Sequence, residues 1–172
     1  MHMDSINEAW LLGREPLEGW PTEGDFEWVT QEQYVPRRGQ ALTRTLYLSM
    51  DPYQWGRRRT GTETPGDVCH GRTVSEVVAS RSVEYREGDI IFNTNGWQQF
   101  GLVGAEINVF GYMFPRILDA NVAPISTALG ILGMLGLTAY SGIYLQCRPR
   151  PGETVVVSAA SGGVGQAAGQ IA

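Results

Sequence analysis

Glu153-Thr154-Val155-Val156-Val157-Ser158-Ala159-Ala160-Ser161-Gly162-Gly163-Val164-Gly165-Gln166-Ala167-Ala168 is the stretch on which the fold turns. Thr154 to Val157 are β-branched and apolar without alternation, which suits a strand buried on both faces of a parallel sheet. Small residues follow at once, so the pattern reads as strand, tight turn and helix start. The first N–H groups of such a helix lack intrahelical partners, and its dipole favours an anion. The spacing Ala160-x-Gly162-x-x-Gly165 fits the dinucleotide fingerprint with Ala in place of the first Gly. Gly162 would admit a phosphate to the backbone, and Gly165 would let helix and strand pack closely. Glycine-rich turns also serve purely structural ends, but the apolar run in front and Ala167, Ala168 and Ile171 behind favour nucleotide binding. The ribose-reading residue of such a unit stands about 20 residues beyond the glycines. The residues to Ala172 therefore do not distinguish NAD from NADP.

Working outward, the 172 residues are 42% hydrophobic and 18% charged, a soluble globular composition with room for one domain and part of another. The net charge of -5 argues against a nucleic-acid or anionic-membrane surface. Ile125 to Leu145 is the longest apolar region, but Gly130, Gly133, Gly136 and Gly142 interrupt it, so it reads as buried helices, not a membrane span. Met1 to Ser5 lacks a basic segment followed by an apolar core, which makes cytoplasmic the default location. Cys69 and Cys147 are unclustered and read as structural thiols.

The earlier part of the chain reads as short strands: Ile6 to Leu12, Phe26 to Thr30, Gln40 to Ser49, Thr73 to Ser80, Ile90 to Phe92 and Trp97 to Val103. In Gln40 to Ser49, Ala41, Thr43, Thr45 and Tyr47 share one face, with Leu42, Leu46 and Leu48 on the other. Asn93-Thr94-Asn95-Gly96 predicts a hairpin turn, because Asn-Gly supplies positive φ. Asp51 is placed to cap a short helix with Pro52 at its first position, and Arg57-Arg58-Arg59 reads as a solvated face. Pro124 to Gly130 and Leu132 to Leu145 read as helices. The division expected is 1–123, a compact mainly β domain with the character of an irregular barrel, and 124–172, linking helices and the first strand, turn and helix of an α/β domain.

Four blocks, in order, carry a resemblance: Leu46-Tyr47-Leu48-Ser49-Met50-Asp51-Pro52-Tyr53; Asn95-Gly96-Trp97-Gln98; Ala128 to Tyr140; and Gly152 to Gly165. Together they resemble the zinc-free medium-chain dehydrogenase/reductases of the prostaglandin reductase and 2-alkenal reductase group. The likeness spans nearly the whole chain and about the first half of such an enzyme. It implies a GroES-like β domain followed by the truncated start of a Rossmann domain. It also implies hydride transfer from NADPH to the β-carbon of an α,β-unsaturated aldehyde or ketone, with protonation at the α-carbon.

Residue by residue, the resemblance implies that Tyr53 faces the active-site cleft, where a phenol can donate a hydrogen bond to the substrate carbonyl; the alternative is an aromatic closing the β domain. Met134 and Thr138 match the helix beside the nicotinamide, and Ala160, Ser161, Gly162, Gly163, Val164 and Gly165 match the pyrophosphate turn. Trp97 matches a cleft-side aromatic, although core burial is favoured for it. Three positions depart from the group's pattern: Leu135 stands where a proline is common, and Gln54-Trp55 replace Met-Arg in the Asp-Pro-Tyr turn.

No metal site is expected. Cys69 and His70 are adjacent and His2 is terminal, whereas catalytic zinc needs three converging ligands. Ser161 has no nucleophile-activating partner, since His70 is the only internal histidine. Two readings remain: an NADPH-dependent ene-reductase, present as a fragment inactive alone, or a non-catalytic GroES-like binding or oligomerisation module. In either case a bare sheet edge or apolar helix face would favour a homodimer or other self-association.

Overall fold

A computed structural model describes residues 6–13, 19–109, 111 and 113–172. The chain divides into two compact units, Met1–Asp119 and Ala120–Ala172.

In the first unit, β1 (Ile6–Leu12) pairs antiparallel with β2 (Phe26–Glu32). The larger sheet contains β3 (Gln40–Leu48), β4 (Thr73–Ser80), β5 (Ile90–Asn93), β6 (Phe100–Gly104) and β7 (Arg116–Ile117). Its spatial order is β6-β3-β4-β5-β7, with every adjacent pair antiparallel. Central β3 and β4 hold the core: Ala41, Val77, Ile91 and Val103 are fully buried and pack with Tyr85. The mainly β expectation holds. The barrel does not close among the described residues, because β6 and β7 each have a neighbour on one side alone.

Two local expectations fail for identifiable reasons. Gln40, Ala41, Leu42 and Thr43 are all buried, so β3 begins covered on both faces. Register shifts at Leu42/Thr43 and Thr45/Tyr47 then break its alternation. The Asn-Gly segment makes no hairpin, since β5 and β6 are not neighbours. Gly96 does adopt φ +77°, but its neighbour Trp97 donates its N–H to the Cys69 carbonyl at 2.8 Å, while the Trp97 carbonyl accepts from Trp10 N–H at 2.8 Å. The chain thereby runs alongside β1, with Gln98 bridged to Ala9, before joining β3.

The asparagines of that crossing build a buried polar centre. Asn95 Nδ2 donates to Thr45 Oγ1 (3.0 Å) and Ser75 Oγ (3.1 Å), and its Oδ1 accepts from Asn93 Nδ2 (2.7 Å) and Thr43 Oγ1 (3.1 Å). Asn93 Oδ1 accepts from Thr73 Oγ1 at 2.5 Å and Ser75 Oγ at 2.9 Å. Strands β3, β4 and β5 are joined through two side-chain amides, which satisfies groups that would otherwise be costly to bury.

The second unit is helical. A 3-10 turn at Ile125–Leu129 precedes α2 (Met134–Tyr140), which continues as a π-helical stretch, Ser141–Cys147. The chain leaves it through Arg148 in the left-handed region, φ +47°. A further helix spans Gly163–Ile171. Ala139 and Ile143 pack against Ala167 and Ala168, with Val157 and Val164 beside them. No strand forms at Thr154 to Val157, because a strand requires a partner and none lies alongside among the described residues. Instead of being buried on both faces, Val156 is 89% exposed. No helix among the described residues is long and apolar enough to cross a membrane.

Candidate functional site

The Asp-Pro-Tyr turn forms as its chemistry dictates. Helix α1 (Pro52–Arg59) starts with Pro52 at its first position and Asp51 at its N-cap. The Asp51 N–H donates to Gln54 Oε1 at 3.3 Å. The Asp51 carboxylate is held by Arg72, whose Nη2 lies 2.6 Å from Oδ1, with both side chains buried. This anchors the helix start and presents Tyr53 toward residue 70.

Tyr53 Oη lies 2.8 Å from His70 Nε2, and the two rings are 5.7 Å apart at 60°. Burial pushes the Tyr53 phenol up to about 12; Asp51 adds to the rise, while the Arg72 and Arg57 guanidiniums oppose it. His70 moves the other way, to about 4, first because burial penalises imidazolium and then because Arg57, Arg58 and Arg72 repel it. At neutral pH this is a contact between two uncharged groups.

The arginine run is not the solvated face its sequence suggests. Arg58 is 3% exposed and pairs with Glu63 at 3.2 Å, Arg57 Nε lies 3.5 Å from the same carboxylate, and Arg59 is exposed. The Arg58 guanidinium also lies 4.7 Å over the Trp97 ring and 5.3 Å from Phe26. Trp97 stacks on Phe26 at 5.3 Å and packs on Leu12 and Cys69, so its surroundings are those of a core aromatic. Helix spacing decides the difference: Gln54 and Arg58, four residues apart, share the buried face of α1.

In the second unit, the glycine turn leads into the helix Gly163–Ile171, with Gly162 as its N-cap at φ -75° and ψ 163°. Ala159 takes the left-handed conformation, φ +48°, and accepts the Gly162 N–H at 2.9 Å. Gly165 is buried, and a Cβ there would stand 2.8 Å from Ala160 Cα and closer still to the Ala159 carbonyl oxygen. Close approach therefore demands glycine at that position. A Cβ on Gly162 would meet only the Ala159 oxygen, at 3.3 Å. Ala160, Ser161, Gly162 and Gly163 are exposed, and Val164 is half-buried. The Leu135 side chain reaches this turn, its Cδ1 standing 2.7 Å from where a Gly163 Cβ would be. Met134 opens α2 and is half-buried. Thr138 donates its hydroxyl to the Met134 carbonyl at 2.7 Å, which leaves its oxygen as an acceptor. The second unit thus contains Met134, Thr138 and the Ala160 to Gly165 turn, whereas Tyr53 belongs to the first unit.

Among the described residues no group of three His, Cys, Asp or Glu could hold a metal ion; His2 lies outside them. Cys69 is buried in the core with Leu12, and burial raises its thiol to about 11, so it is no thiolate nucleophile. His70, Glu63 and Arg72 carry no motif of their own. Being the only internal histidine was the one signal in the sequence for His70.

A family model described as the N-terminal domain of oxidoreductase matches residues 8–109. The NADP(+)-dependent 2-alkenal reductase of Nicotiana tabacum is 35% identical over 178 residues, covering 98% of this chain and 50% of that protein. The NADPH-dependent curcumin reductase of Escherichia coli is 38% identical over 170 residues, covering 96% of this chain and 47% of its own length. The solved structure of CurA from Vibrio vulnificus in complex with NADPH is 35% identical, with TM-score 0.82 over 95% of this chain and 48% of that one. The chain spans about half the length of the relatives it matches.

Proposed function

The chain belongs to the zinc-free medium-chain dehydrogenase/reductases, in the prostaglandin reductase and 2-alkenal reductase group, and from that premise we propose that it is the amino-terminal half of an NADPH-dependent reductase of α,β-unsaturated aldehydes and ketones. The observation that carries this reading is the turn before the helix Gly163–Ile171. Its first-turn amides have no intrahelical acceptors, its Ser161 to Gly163 segment is exposed, and Gly165 lies too close to the Ala159–Ala160 backbone for any side chain. An exposed glycine at the N-cap and a close-packed one three residues later are what a nucleotide diphosphate requires. The residues present fit the cofactor of the relatives.

NADPH, when bound, supplies the hydride that the β-carbon of the substrate accepts. The chain's own residues bind and orient. The amides of Gly163, Val164 and Gly165 would hold the diphosphate; Thr138 Oγ1 would accept from a carboxamide N–H; and Met134 would pack beside the ring. Tyr53, held neutral by its burial, would donate a hydrogen bond to the carbonyl oxygen as negative charge develops there.

The test is NADPH titration and enone-dependent NADPH oxidation by the complete protein. Saturable binding that weakens when Gly162 is replaced by a bulky residue supports the reading, and binding indifferent to that replacement ends it. The 172-residue chain alone is expected to turn over no NADPH. Exposure of Leu137 and Tyr144 at 62% each and Val156 at 89% favours its self-association, which sedimentation velocity measures.

A further inference from the structure

The Tyr53–His70 contact is supported from both sides by buried ion pairs. On one side, Arg72 and Asp51 fix the start of α1, and with it the ring of Tyr53. On the other, the Arg58–Glu63 pair clamps the backbone of His70: the His70 N–H donates to Glu63 Oε2 at 3.3 Å, and Arg58 Nη2 donates to the His70 carbonyl at 3.4 Å. A half-buried phenol and a half-buried imidazole are thus placed 2.8 Å apart by four charged side chains that do not themselves make the contact.

We propose that His70 is a positioning residue for Tyr53, present as the Nε2–H tautomer and donating to Tyr53 Oη, so that the phenol's own proton is left for the substrate carbonyl. This rests on the reductase reading of Tyr53. The argument is one of donors. A phenol has a single proton; if it went to a bare Nε2, Tyr53 would offer only lone pairs to a carbonyl, which is itself an acceptor. Burial first, and then the positive charge of Arg57, Arg58 and Arg72, disfavour the imidazolium against the opposing pull of Asp51. The ring therefore stays neutral and has one N–H to place. Donating that N–H to Tyr53 fixes the hydroxyl rotor in the donor orientation.

Two measurements test this. Nitrogen-15 NMR of the imidazole in this chain is expected to show Nε2 protonated and Nδ1 bare at neutral pH, with the Nε2–H signal moving on Tyr53→Phe. In the complete protein, His70→Leu is expected to lower kcat about tenfold, the worth of one hydrogen bond, with the KM for NADPH unchanged, and His70→Gln, which keeps an N–H donor, is expected to restore most of it. A bare Nε2, or a His70→Leu enzyme as fast as wild type while Tyr53→Phe is slow, overturns the role of His70. If Tyr53→Phe is itself as fast as wild type, the reductase reading of Tyr53 fails along with it. Should His70→Leu not fold, the tautomer still decides.

Discussion

The Arg72 guanidinium lies 2.6 Å from the Asp51 carboxylate, with the two side chains 1% and 7% exposed. It ties the entry to β4 to the N-cap of α1 across 21 residues of chain, and Arg72 Nη2 also donates to Ser49 Oγ at 3.1 Å. Helix α1 has only eight residues, too short to hold itself in water. Its position, and that of Tyr53, depends on this pair.

Arg72→Leu should therefore destabilise the chain by about 3–5 kcal/mol, because it strands a buried carboxylate. Chemical denaturation checks the loss. Simultaneous Asp51→Asn should recover part of it by removing the orphaned charge.

Acid should expose the cost of charging His70. Its folded value of about 4 lies below the ordinary 6.5, so the unfolded chain takes up the proton first. The neutral ring's contribution is complete above pH 6.5 and is lost progressively as pH falls toward 4. Melting temperature should decline through that window in wild type and more weakly in His70→Gln.

The two glycines of the nucleotide turn should separate stability from binding. Gly165→Ala places a methyl group against the Ala159–Ala160 backbone and should cost about 1–3 kcal/mol, as overpacking does. Gly162, whose φ of -75° suits any residue, should tolerate Val with a smaller loss in melting temperature. The complete protein carrying Gly162→Val should nevertheless bind NADPH more weakly. Thermal melts and NADPH titration distinguish the two.

Asn95→Ala removes an amide that serves Thr43, Thr45, Ser75 and Asn93 together. Leaving those buried groups unpaired should cost about 1–3 kcal/mol, read as a fall in the denaturation midpoint. Asn95→Leu should not rescue it, because its partners stay polar.

Much of this protein follows from local chemistry that the sequence displays. Strands β1, β2, β3 and β4 begin where apolar and β-branched runs begin, Pro52 opens α1, and Gly162 stands as the N-cap before Gly163. Each depends on neighbours within a few residues, whose preferences can be read in order along the chain. Tertiary structure alone decided the rest. Asn95-Gly96 carried every mark of a hairpin, yet strand order is set by which edges meet, and β6 joined β3 instead of β5. Arg58 looked solvated until Glu63 came back beneath it. Thr154 to Val157 had the residues of a buried strand but no partner alongside among the described residues, and hydrogen bonds between strands belong to pairs, never to one segment. His70 meets Tyr53 across 17 residues of chain, with the Arg58–Glu63 and Arg72–Asp51 pairs holding the two segments; a side chain's chemistry is written in its own position, while its partner is chosen by the fold.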